Sequence, residues 1–126
     1  MSRLLDDLDS QFRLKAFELI ARCCEAGILV MIITTGRTLE EQRKALENGF
    51  SSTMNGKHLP QPPEGKSKAI DVCPYEEFQL HGPDKLQWNS SDPIWTKIGL
   101  IGEKLGLRWG GRWKRPFDPG HFEEGR

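Results

Sequence analysis

An excess of either positive or negative charge is missing from this chain. Eighteen Lys and Arg offset eighteen Asp and Glu, for a formal net charge of zero. Bulk binding to nucleic acid needs a cationic excess or patch, so a nucleic-acid function is not expected, although a local basic site stays open. Long apolar runs are also missing. No stretch reaches the roughly 20 residues that cross a bilayer. The opening segment MSRLLDDLDSQFRLKAF is charged and interrupted, unlike a secretory signal. The expectation is a chain made in the cytoplasm that stays there unless something releases it, with no membrane partner. Cysteine is scarce: Cys23, Cys24 and Cys73 form an odd set with two members adjacent. That is neither a disulfide framework nor a CxxC zinc pattern, and all three are expected to be small buried hydrophobes. There is no internal repeat, linker or low-complexity tract. The length suits one domain, residues 1–126, with a single core.

The remaining pattern reads as alternating helices and strands. From about Asp9 to Ala26, Phe12, Leu14, Phe17, Leu19, Ile20 and Cys24 recur at three- and four-residue steps, which predicts an amphipathic helix stopped by Gly27. The run ILVMIITT, Ile28 to Thr35, is short, β-branched and apolar, as a buried strand should be. Thr38 and Glu41 form a capping box that starts a second helix through about Leu46. Ser51 to Lys68 is rich in Gly, Pro, Ser and Asn, and its prolines forbid a helix or central strand. A long loop of this kind inside a domain is usually functional. Ala69 to Cys73 reads as a short strand, with Asp71 facing away from Ile70 and Val72. A polar segment leads to Asp92-Pro93, a start signal for a third helix ending at Gly106. The aromatic, Gly-rich tail should hold a strand at each end. The expected fold class is α+β: a small antiparallel sheet that carries the site, packed by about three helices.

Three residues then stand out: His58 in the Pro-rich loop, Asp71 on the short strand and His121 in FDPGHFEE near the C-terminus. Two histidines and a carboxylate suit a catalytic zinc site, which takes three protein ligands and leaves one position open. Such chemistry also needs a carboxylate to move a proton, and Asp118 lies three residues before His121, across a Pro-Gly pair. A lone His is more often a surface or satisfied core residue, and a lone Asp an edge or turn residue. Spacing alone therefore leaves the bland alternative open.

The order GRTLEEQ, KHLPQPPEGKSKAIDV, WGGRWKRPFDPGHFE resembles the zinc peptidases that include D-alanyl-D-alanine carboxypeptidases, vancomycin-resistance dipeptidases and phage L-alanyl-D-glutamate endolysins. The resemblance runs from about Thr34 onward and is most specific in the terminal block. It implies His58, Asp71 and His121 as zinc ligands, Asp118 as catalytic acid/base, and Arg37 as the arginine that steadies a developing oxyanion. It implies a peptidase acting on the stem peptide of peptidoglycan, expected as a monomer, that reaches the cell wall after release. The cleaved bond is expected to be L-alanyl-D-glutamate, with D-Ala-D-Ala carboxypeptidase or dipeptidase activity as the alternative. A non-catalytic, zinc-containing wall-binding module is the alternative from another class.

The chain departs from the family pattern in three places. Asp71 follows His58 by thirteen positions rather than seven, and Gln61, Pro62, Pro63 and Glu64 lie within an apparent insertion. Gly56 stands where the family has serine, and Ser67 where it has glycine. The loop, insertion included, is expected at the cleft. Trp109 suits either a cleft wall or the core. The cluster Arg108, Arg112, Lys114 and Arg115 suits either substrate carboxylates or a solvated surface. Glu123 and Glu124 are candidates to hold the ligating histidines in place.

Overall fold

Helix α1, Ser10–Glu25, begins where Asp9 accepts from the backbone N–H groups of Gln11 and Phe12. It ends with Gly27 at φ 79° and the Ile28 N–H returning to the Cys23 carbonyl, a Schellman closure. The computed structural model describes residues 1–49, 56–76 and 85–125. The apolar face of α1 is narrower than its composition suggests. Phe12, Ala16, Leu19 and Cys23, spaced four, three and four apart, are buried. Leu14 and Phe17 are 66% and 52% exposed, and Cys24 is exposed as well. Several apolar residues of the predicted stripe thus point outward, because period 3.6 admits only one line of positions to the core. Cys23 and Cys73 are buried as expected.

After α1 come strand β1 (Val30–Thr34), helix α2 (Leu39–Glu47), strand β2 (Ala69–Pro74), helix α3 (Ile94–Lys104), strand β3 (Arg108–Trp109) and strand β4 (His121–Glu123). The Thr38–Glu41 capping box forms in full at the start of α2. Asp92 Oδ1 caps the start of α3 by accepting from the Ile94 N–H at 2.9 Å. The loop reading holds for residues 56–68, while Ser51 to Asn55 lie outside the described residues, as does part of the polar segment after Pro74. No described helix is long and apolar enough to cross a membrane.

The four strands pair antiparallel in the order β1-β2-β4-β3, so the α+β expectation stands, with three α-helices among the described residues. One face of the sheet meets the core. Ile70 pairs with Phe122, and Trp109 pairs with Phe122 from the other side. These rings join Leu8, Leu19, Val72 and Ile98 in one cluster. Trp109 belongs to this core rather than to a cleft wall. Its ring lies against Gly99, and its indole N–H donates to the Pro119 carbonyl at 2.7 Å.

If the buried line of α1 is correctly identified, Leu19→Ala should lose about 2–5 kcal/mol of unfolding free energy, as for a fully buried leucine. Leu14→Ala should stay within about 0.5 kcal/mol of the parent. Urea titration followed by circular dichroism measures both, and equal losses would contradict the assignment of faces.

Candidate active site

Strand alternation decides where the site sits. Ile70, Val72 and Phe122 enter the core, so Asp71, His121 and Glu123 project from the other face of the sheet. Antiparallel register pairs Asp71 with His121 directly. Their side chains meet, with His121 Nδ1 and Asp71 Oδ1 2.9 Å apart. The other ring nitrogen, Nε2, donates to Glu123 Oε1 at 2.9 Å. Glu123 also accepts from Arg108 at 3.3 Å. Trp113 packs on the His121 ring, with centroids 4.9 Å apart.

His58 arrives from the loop. Its backbone carbonyl accepts from the Arg37 N–H at 3.0 Å. Its Nδ1–H donates to the Thr35 carbonyl at 2.7 Å. With Nδ1 committed to that carbonyl, Nε2 is the ring nitrogen turned toward Asp71. Nε2 is buried and makes no hydrogen bond, yet it lies 3.2 Å from Asp71 Oδ2. Ser67 reinforces the arrangement, since its hydroxyl donates to the same Thr35 carbonyl at 2.7 Å. The residue that departs from the family glycine therefore helps to anchor the carbonyl that fixes the His58 tautomer.

One donor atom from each of His58, Asp71 and His121 falls within 4.8 Å of the others. An unpartnered histidine nitrogen facing a carboxylate, with a second histidine nitrogen alongside, is a donor set that fits a divalent metal. The electrostatics agree. Burial opposes charge on His121, but its hydrogen bonds to the Asp71 and Glu123 carboxylates prevail and push it up to about 10. Burial would raise Asp71, but His58 and His121 hold its carboxyl well below the usual carboxylate range. The pocket is thus built to stabilise a positive charge between the two histidines.

Asp118 stands beside this set without joining it. Its Oδ2 lies 3.9 Å from His121 Nδ1. Burial, with Asp71 nearby, pushes its carboxyl up to about 6. A backbone turn places it: the His121 N–H donates to the Asp118 carbonyl, and the Asp118 N–H donates to the Gly110 carbonyl, both at 3.1 Å. A Cβ at Gly110 would lie 2.3 Å from the Asp118 carbonyl oxygen, and one at Gly120 would lie 2.4 Å from that of Val72. Only glycine permits either approach. Arg37 reaches the site too, with Nη2 3.9 Å from Asp71 Oδ2 and Nη1 donating to Gln42 Oε1 at 3.2 Å.

Other expectations shift. The Gln61–Glu64 turn does not face the cleft but folds back onto α1, where Glu64 accepts from the Ser10 N–H at 3.2 Å. Glu124 pairs with Lys57 and Lys68 rather than with a histidine. Arg112 pairs with Glu103 and lies over the Trp109 ring, and Arg108 pairs with Glu123, so half of the basic cluster is committed to the fold. Sequence reasoning missed Thr35, Gln42 and the role of Ser67. Gln42 lies within the GRTLEEQ motif, but a backbone carbonyl such as that of Thr35 leaves no signal in sequence.

Residues 66–124 match the family model described as D-alanyl-D-alanine carboxypeptidase. The fold is similar to the crystal structure of the Serratia marcescens L-Ala D-Glu endopeptidase ChiX, with a TM-score of 0.69 and 19% identity over 95% of this chain and 82% of that one.

Protein purified without chelator should carry about one equivalent of divalent metal, as a three-ligand site does. His58→Ala/His121→Ala should carry none. Glu123→Gln should keep the fold and lower metal affinity about 10- to 100-fold, the usual effect of removing a carboxylate that orients a ligating histidine. Competition with a chromogenic chelator reads the affinity, and an unchanged value for Glu123→Gln would reduce that carboxylate to a structural partner.

Proposed function

We propose that this chain hydrolyses the stem peptides of peptidoglycan as a zinc-dependent, phage endolysin-like L-alanyl-D-glutamate endopeptidase, a reading supported by the match of residues 66–124 to a peptidase family model. The observation that carries the proposal is geometric. His58, Asp71 and His121 converge as three metal donors, while Asp118 is held beside them and outside the donor set. Zinc sites that only stabilise a fold are normally closed by four protein ligands, so three donors and a free carboxylate favour turnover over a wall-binding module.

The chemistry divides among the residues. A zinc ion held by the three donors would supply Lewis acidity, polarising the scissile carbonyl and making water a competent nucleophile near neutral pH. Asp118 takes a proton from the attacking water. As the carbon–nitrogen bond breaks, Asp118 returns that proton to the departing amine. Arg37, fixed by Gln42, presents a guanidinium to the oxygen that gains charge. Glu123 and the Thr35 carbonyl hold the two imidazoles in their orientations.

The alternative bond is the terminal D-Ala-D-Ala linkage, favoured by the description of the matching family. The two differ in how the cleft treats substrate beyond the scissile bond. We also infer action as a monomer on the cell wall after release from the cytoplasm. Mass analysis of fragments from purified peptidoglycan identifies the bond. A new amino-terminal D-Glu supports the endopeptidase, released D-Ala the carboxypeptidase, and intact glycopeptide the binding module.

Asp118→Asn keeps the size of the side chain and removes its proton-accepting oxygen. Its fold and metal content should match the parent, and cleavage should fall about 10²- to 10⁴-fold, the contribution typical of a general acid/base. Full activity would leave Asp118 as a turn residue, and joint loss of metal and activity would make it a fourth ligand.

A further inference from the structure

A cleft of about 740 Å³ opens over Asp71 and Asp118, and one wall of it is α2. This volume suits a short peptide. Among the described residues its charged lining groups are the Met1 ammonium, Arg37, Glu41, Lys44, Asp71 and Asp118. Five of the six are committed. Arg37 is shared between Gln42 and Asp71. Glu41 accepts from the Thr38 N–H, closing the capping box, and pairs with the Met1 ammonium. Asp71 lies between the histidines, and Asp118 beside His121. Among the described residues, only Lys44 lines this cleft with a charge that no hydrogen bond or ion pair engages. It is exposed, on a flexible four-carbon stem, while Arg37 is largely covered.

A free cation in a peptide cleft calls for an anion on the peptide. The two candidate bonds share one. When D-Glu continues the chain through its γ-carboxyl, its α-carboxylate stays free on the residue just after the cleaved bond. A terminal D-Ala carries the same group at the same place. We propose that Lys44 binds this α-carboxylate, so that substrate choice depends on a negative charge on the residue whose amine is released. The proposal rests on the peptidoglycan-peptidase reading above. The competing account is purely structural: Lys44 lies in the last turn of α2, where a cation complements the helix dipole.

The test uses the metal-loaded full chain, its Lys44→Met and Lys44→Arg variants, and four synthetic peptides. Two contain L-Ala-γ-D-Glu with the α-carboxylate free or amidated, and two end in D-Ala-D-Ala as acid or amide. For the bond that is cut, the parent should prefer the carboxylate about 10- to 100-fold in kcat/KM, the range for a charged hydrogen-bonding partner. Lys44→Met should bring the two forms close to parity by slowing the carboxylate peptide alone, chiefly through KM. Lys44→Arg should keep most of the preference. A Lys44→Met enzyme with the parent's ratio would assign Lys44 to the helix end and overturn the proposal, as would a parent with no preference. If the zinc-loaded parent cuts none of the four peptides, the peptidase reading fails, and the Lys44 proposal fails with it.

Discussion

The pairing of Asp71 with His121 across β2 and β4 is the constraint on which the rest of the site depends. Register in an antiparallel pair is set by which residues the core accepts, and a slip of one residue would exchange the two faces. Here the core accepts Ile70 opposite Phe122, both fully buried. That hydrophobic pair fixes its polar neighbours one position along, on the opposite face. The proposed metal donors are therefore aligned by packing on the far side of the sheet, and they need no interaction of their own to find one another.

The third donor is brought in differently. His58 belongs to no strand, and its loop is irregular. Its position is set by hydrogen bonds to the turn after β1: Thr35 accepts from its ring, and its own carbonyl accepts from Arg37. Those two contacts tie together the residue proposed to hold the metal and the residue proposed to steady the oxyanion. Ser67 strengthens the same junction. The insertion before Ser67 is absorbed away from the site, since Gln61 and Lys66 close a turn and Glu64 seats it on α1. A loop only has to return to its exit point, and added length there costs little.

Trp109 links the core to the chemistry. Its ring fills the space that Gly99 leaves, and its indole N–H holds the Pro119 carbonyl in the turn between Asp118 and His121. Gly110 accepts from the Asp118 N–H at a distance no side chain would permit. The WGG and DPGH segments are thus two halves of one structure. The first supplies the floor on which the second presents its carboxylate and its imidazole.

Much of this was legible in the residues. Period-two alternation around Asp71, the Thr38–Glu41 capping box, the glycine stops and the order of helices and strands are local signals, and local physics fixes them. The donor types and the nearby carboxylate were legible as well, because metal chemistry uses few residue types. The face of α1 was not, because Leu14 and Leu19 are equally apolar and only the packed sheet selects between them. Nor was the destination of the insertion, because its seat on α1 is a contact between residues far apart in the chain that no local pattern marks. The partner of His121 lay closer to local physics, since residues two apart on a strand share a face and Glu123, not Glu124, stands two from the histidine; that this face meets Asp71 is decided only by the register of β4 against β2.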